Sequence, residues 1–432
     1  MKKKVISLML AACMVMGMTA CGSSASTTDT QPAADGTTAE TQAAATDDAA
    51  APTTESTGDK ELAVQIGPDP ETIDPALNSA VDGGNMLLHA YECLLTVGQD
   101  GTLQPGQAES YDVSEDGLTW TFHLRDGLKW SDGSDLTAND FVYSWKRVCD
   151  PEVAAPYAET VLGMVKGYDE AIDGNLDALG VSAPDDSTLV VELANPCSYF
   201  GSLAAFATLS PVQEATIEAN GEAWATAPET YVSNGPFYMT EWVPGSHITF
   251  SKNPYYWNAD AIKLDRLKFV LMEDSNAAYS AYQTGEVLMI KDVPTEEIPS
   301  LTGTDDFYVD PIIGTYYISL NIQKAPFDDV NVRKALSLAI DREYVASTLM
   351  QGTYTAAGNF MGPGWMDTDG TEFMSNANGG KPYIDTTNFE ANLEEAKQLL
   401  ADAGYPDGEG FPTISYTTND AGYHKVVAEY LQ

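Results

Sequence analysis

The sequence predicts a mixed α/β protein of more than one domain. Segments with strand-like alternation and segments with helical periodicity interleave along the chain: ELAVQIG at 61–67, LTANDFVYSWKRV at 136–148, STLVVEL at 187–193 and ANLEEAKQLLADAGYP at 391–406. Such an order argues against a sandwich or a bundle. From Lys60 onward about 370 residues have a globular composition, too many for a single core. No short-period repeat breaks this pattern.

The elements follow in order. MKKK and the 16-residue apolar run Val5–Ala20 have the layout of a secretory signal, and the run falls short of the roughly 20 residues a membrane span needs. The run ends at MTAC, which resembles a lipoprotein signal in which the Cys21 thiol is lipidated; a plain secretion signal and a retained anchor are the other readings. LAAC, ending at Cys13, matches formally but leaves too short an apolar run. Residues 22–59 hold no Val, Ile, Leu, Met, Phe, Tyr or Trp, so burial cannot offset ordering entropy and disorder is expected. As a flexible coil these 38 residues would span about 35 Å, a leash between a lipid and a folded body.

In the body, ELAVQIG reads as a strand. ESYDVS and LTWTFHL (109–124) read as two strands joined at Asp116-Gly117, and Asp-Gly turns recur at 126–127 and 132–133. Thr137 with Asp140 forms a capping box for a helix whose stripe of Phe141, Val142, Trp145 and Val148 faces a core. STLVVEL is a strand, PFYMTEW (236–242) and HITFSKN (247–253) a hairpin around Pro244-Gly245, and RLKFVLM (266–272) and YYISLNI (316–322) are strands. VNVRKALSLAIDREYVASTLMQG (330–352) is a helix pair, with Asp341 capping the second and Gly352 ending it. The amphipathic helix at 391–406 stops at Gly404 and Pro406, TISYTT (413–418) is a strand, and HKVVAEYLQ (424–432) opens another helix.

The formal charge is −43, and removing the three leading lysines and the seven acids of 22–59 still leaves −39 on the body. Such a surface repels nucleic acid and anionic lipid. It fits solubility outside a cell, or attraction for cationic ligands. Cys93, Cys149 and Cys197 form neither a disulfide framework nor a metal site by spacing; they read as small buried residues, with one disulfide among them left open. No nucleophile elbow, phosphate loop or paired-histidine zinc helix is present, and His89, His123, His247 and His424 lack ligand spacing. DTDGTE (367–372) lacks the spacing of a calcium loop and reads as an acidic turn. Poor in reaction machinery and rich in aromatic residues, the chain has the composition a binding site needs, and an extracellular hydrolase is the remote reading.

Three blocks, WTFHLRDGLKWSDGSDLTANDFVYSWKRV (120–148), SNGPFYMTEWVPGSHITFSKNPYYWN (233–258) and DDVNVRKALSLAIDRE (328–343), together resemble the family 5 extracellular solute-binding proteins of peptide ABC importers, of the oligopeptide-binding type, from about residue 61 to the end. The resemblance implies a periplasmic-binding-protein-like, two-lobed clamp of type II with an accessory domain. The first lobe would use 60–91 and 213–317, the accessory domain 92–212, and an incomplete second lobe 318–432. It implies a monomer without cofactor or metal, with an extended peptide as ligand, permease subunits as partners and lipid on Cys21 as the membrane tether. Relatives on the same scaffold bind dipeptides, nickel chelates, haem, sugars or signalling peptides.

By the same resemblance Ser79, Ala80 and Val81 match the stretch that pairs with the ligand main chain, although family members often carry an acid where Ser79 stands. Tyr157, Gly314 and Tyr317 would face the cleft, while Trp242 and Trp257 read as core. The family carries a later Gly-Trp-x-x-Asp segment that this sequence does not reach; Asp420 stands in a different strand and takes no such role. The expectation is therefore a C-terminally truncated form whose segment 413–432 lacks partners.

Overall fold

A computed structural model describes residues 60–310, 312–367, 369–418 and 422–432. The expected signal, linker and Cys21 lie outside the described residues, as does Asp420.

Ten strands are present among the described residues: β1 (Glu61–Gln65), β2 (Leu95–Val97), β3 (Leu103–Pro105), β4 (Ala108–Val113), β5 (Thr119–Leu124), β6 (Val181–Asp185), β7 (Thr188–Glu192), β8 (Phe237–Val243), β9 (His247–Lys252) and β10 (Arg266–Val270). They form a four-stranded sheet in the order β1-β10-β9-β8, a second in the order β4-β5-β7-β6, and the pair β2-β3. The hairpins expected from local turn chemistry form: β4 pairs antiparallel with β5, and β8 with β9. Gly117 and Gly245 sit in their turns with φ of 69° and 69°, a region glycine enters without Cβ strain. The one parallel pairing in the first sheet joins β1 to β10, with Glu61 beside Arg266.

Helix α1 (Val81–Ala90) follows the first strand, and α2 (Ala138–Val148) starts as its sequence indicates. The Thr137 N–H donates to Asp140 Oδ2 at 2.7 Å, closing the capping box. Phe141, Trp145 and Val148 are buried and Val142 packs partly against the same core. That core is continuous from Ile66 to Leu271 and joins both four-stranded sheets, with Trp130, Trp145, Trp224, Phe122 and Phe250 as its largest wholly buried residues. Cys93, Cys149 and Cys197 are free and buried, and burial pushes the Cys93 and Cys149 thiols up to about 12.

Beyond residue 318 the packing is thinner. Helices Val330–Leu338 and Phe389–Asp402 bury Ala335, Leu338 and Ala396 between them. Asp341 accepts from the Tyr344 N–H at 3.0 Å and starts the second helix of the expected pair, which is one α-turn (Arg342–Tyr344) followed by a π-turn (Val345–Leu349). Gly422–Leu431 is helical.

Two expected strands do not form. YYISLNI and TISYTT have strand-like alternation, but neither is paired among the described residues. Alternation shows that a segment can present a pleated face; only a neighbour's N–H and C=O groups make it a strand. Trp257 also departs from its expected core position. It is 38% exposed, its indole N–H donates to Glu92 Oε2 at 2.6 Å, and the Arg125 guanidinium lies 3.6 Å above its ring. A polar handle and a cation over the ring hold it at the surface. Trp242 is half-buried against the main core.

Candidate ligand-binding face

The carboxyl end of the parallel pair positions the first candidate residues. In open α/β sheets this end carries the ligand crevice, because the chain leaves each strand there into loops and helix N-termini. Gln65 closes β1 and is buried, with both ends of its amide satisfied: Nε2 donates to the Met272 carbonyl at 2.8 Å, and Oε1 accepts from the Lys291 N–H at 3.1 Å. Segment 288–291 lies along the other side of β1, with the Leu288 N–H donating to Ala63 and the Gln65 N–H to Met289. One buried amide thus ties three chain segments at the sheet's carboxyl end.

Ser79, Ala80 and Val81 form an exposed ledge where α1 begins, with Ala80 extended at φ −105° and ψ 148°. The Asn78 side chain donates to the Ala80 carbonyl at 3.0 Å. It lies over Gly83, where a Cβ would stand 2.2 Å from Asn78 Oδ1 and 2.6 Å from the Thr72 carbonyl. Glycine there lets the loop fold flat against the helix. Asp82 on the first turn faces Lys291, Nζ to Oδ1 3.7 Å.

Gly314 and Tyr317 lie on irregular chain and are exposed, Tyr317 by 61%. The Tyr317 ring meets Phe360 edge-on at 5.2 Å, and the Thr315 hydroxyl donates to the Phe360 carbonyl at 2.5 Å. Tyr157 is half-buried, its ring against Phe206 at 5.3 Å. Among the described residues no hydrogen bond, ion pair or ring contact joins Tyr157 to the ledge or to Tyr317.

The structure adds residues that sequence reasoning passed over. Asp292 acts electrostatically on Tyr354, Tyr423 and His424. His424 Nδ1 is 2.6 Å from the Tyr316 hydroxyl, and its ring lies tilted against that of Tyr423 at 4.1 Å. Burial lowers the His424 pKa, with the Asp292 carboxylate opposing, and burial beside Tyr416 raises that of Tyr316. Both shifts favour a neutral imidazole beside a protonated phenol. Four scattered histidines gave no local sign of this. Among the described residues no group of acids, histidines and cysteines could hold a metal ion, and no helix is long and apolar enough to cross a membrane.

The family model for bacterial extracellular solute-binding proteins, family 5, middle region, matches residues 102–432. The chain belongs to this family. It is 35% identical over 387 residues to the oligopeptide-binding protein OppA of Bacillus subtilis, covering 88% of this chain and 69% of that protein. A crystal structure described as a periplasmic oligopeptide-binding protein, OppAIV, from Borrelia burgdorferi matches with a TM-score of 0.79 at 33% identity, covering 86% of this chain and 72% of that one. Haemophilus influenzae OppA in complex with RPPGFSPFR matches with a TM-score of 0.75 at 33% identity, over the same shares. The fold is thus the mixed α/β fold of periplasmic binding proteins, and family 5 is made up of solute-binding proteins. The chain spans about two thirds of the length of the B. subtilis relative.

Proposed function

We propose that this chain is an extracellular receptor that binds oligopeptides in extended form and delivers them to an ABC importer. The observation that carries the reading is the exposed Ser79–Val81 ledge at the carboxyl end of the β1–β10 pair, in a member of family 5. An extended peptide laid there is held through its main chain, which gives affinity without demanding a particular sequence. In this reading 60–91 with 213–317 form the first lobe, 92–212 the accessory domain and 318–432 part of the second lobe. Gly314 and Tyr317 line the cleft with Tyr157, and a hinge motion closes the lobes on the peptide. Lipid on Cys21 tethers a monomer to the outer face of the plasma membrane. In this reading the chain binds and releases its ligand without catalysing a reaction, in keeping with a family made up of solute-binding proteins.

Native mass spectrometry with a mixture of short peptides tests this. Peptide-sized adducts that Tyr317→Ala weakens support the reading. A bare protein at saturating peptide removes it, and shortened peptides would replace it with the hydrolase reading. The denaturing mass of protein made in its host reports lipid on Cys21.

A further inference from the structure

Among the described residues strand β8 is the outer strand of its sheet, with β9 on one side and no strand on the other. In its first half Phe237 and Met239 turn into the core and are buried. Its second half is open: Thr240, Glu241 and Val243 are exposed. A bulge at Thr240 separates the halves, after which Glu241, Trp242 and Val243 pair regularly with Thr249, Ile248 and His247. A groove of about 680 Å³ runs along this open half, walled opposite by the loops at 69–71 and 226–229.

The groove is built rather than incidental. The Asp69 carboxylate accepts from the Trp242 indole N–H at 3.1 Å and from the Gly245 N–H at 2.6 Å, which fixes the indole and the hairpin turn against the facing loop. Pro70 and Pro244 stiffen the two walls, Glu71 and Glu229 stand exposed on the rim, and no lysine or arginine lines it. An exposed strand edge is a template for an added strand. A second copy of this chain is a poor candidate, since each copy carries a formal charge of −43.

We propose that this groove docks an extended, cationic segment of a partner protein, which adds a short strand to the open edge of β8. Main-chain bonding to 241–243 would set its register. Its basic side chains would reach the rim carboxylates and the Trp242 face. Strand β8 lies at the far edge of the sheet from β1, three strand spacings or roughly 14 Å across. The groove's lining shares no residue with the ligand face proposed above.

Hydrogen–deuterium exchange on the full chain tests the proposal with a capped six-residue peptide alternating Lys and Val, and with its matched peptide carrying Gln for Lys. The expected result is slowed exchange at 240–243 with the Lys peptide only, and an affinity lowered about tenfold by Glu71→Lys with Glu229→Lys. Raising the salt on the unmodified chain must weaken binding likewise, which covers failure of the variant to fold. Equal protection by both peptides overturns the proposal. So does protection confined to 79–81 and 314–317, or affinity indifferent to both salt and charge reversal.

Discussion

Arg147 on α2 and Asp74 after β1 form a buried, two-pronged ion pair: Nη1 to Oδ1 is 3.0 Å and Nη2 to Oδ2 is 2.5 Å, with the side chains 12% and 4% exposed. The Trp224 indole N–H also donates to Asp74 Oδ2 at 3.3 Å, and the Ala76 N–H to Oδ1 at 2.9 Å. The pair therefore pins three distant stretches of chain at one point. Asp74→Ala leaves the guanidinium buried without a partner and should lower stability by about 3–5 kcal/mol in urea unfolding. Asp74→Leu combined with Arg147→Met should cost clearly less, because no lone charge remains. A double variant as unstable as the single would contradict this account.

Glu92 accepts from the Tyr256 hydroxyl at 2.5 Å, the Trp257 indole at 2.6 Å and the Gln107 amide at 2.6 Å. Glu92→Ala strands these donors and should cost about 1–3 kcal/mol; Glu92→Gln, which keeps an acceptor, should cost less. Burial raises the Glu92 pKa above 4.5, so its contribution is full below that pH and shrinks as pH rises through the folded value. If Glu92→Ala and Glu92→Gln unfold at the same urea concentration, the carboxylate is not the anchor proposed.

His89 titrates with the opposite sign. Its ring lies 5.8 Å from Phe269 and 6.2 Å from Phe237, and burial lowers its pKa below 6.5. The unfolded chain therefore takes up the proton first as pH falls through 6.5, and stability declines from there. His89→Leu should flatten the fall in the urea midpoint between about pH 7 and 5.5. An unchanged slope would place the acid sensitivity elsewhere.

Tyr317 and Tyr157 separate binding from packing. Tyr317 is largely exposed, so Tyr317→Ala should shift stability by no more than about 0.5 kcal/mol while lowering peptide affinity about tenfold. Tyr157 packs on Phe206, so Tyr157→Ala should cost about 1 kcal/mol or more of stability as well. Isothermal titration and thermal melts on both variants decide this, and unaltered affinity for Tyr317→Ala would take Tyr317 out of the site.

Gly83 tests the ledge. Gly83→Ala drives a Cβ against Asn78 and the Thr72 carbonyl. It should cost about 1–3 kcal/mol and weaken peptide binding together. Wild-type stability and affinity would show that the loop yields without displacing Ser79–Val81.

Features with a local cause are legible in the residues alone. Asp116-Gly117 and Pro244-Gly245 closed the two hairpins, Thr137 and Asp140 started α2, and apolar spacing chose its buried face. Three motif blocks also placed the chain in its family, because they are contiguous and ordered. Which alternating segments became strands depended on pairing between segments far apart in the chain. ELAVQ found Arg266–Val270 some two hundred residues on, while YYISLNI and TISYTT, no less strand-like, found no partner among the described residues. Folding also keeps Trp257 at the surface under Arg125, and brings Tyr316 to His424 across a sequence separation of 108. The physical reason is common to these cases. A cap or a turn is satisfied within a few residues, whereas a ladder, a cation over a ring or a buried amide is satisfied by groups that only the folded chain brings within 3–4 Å.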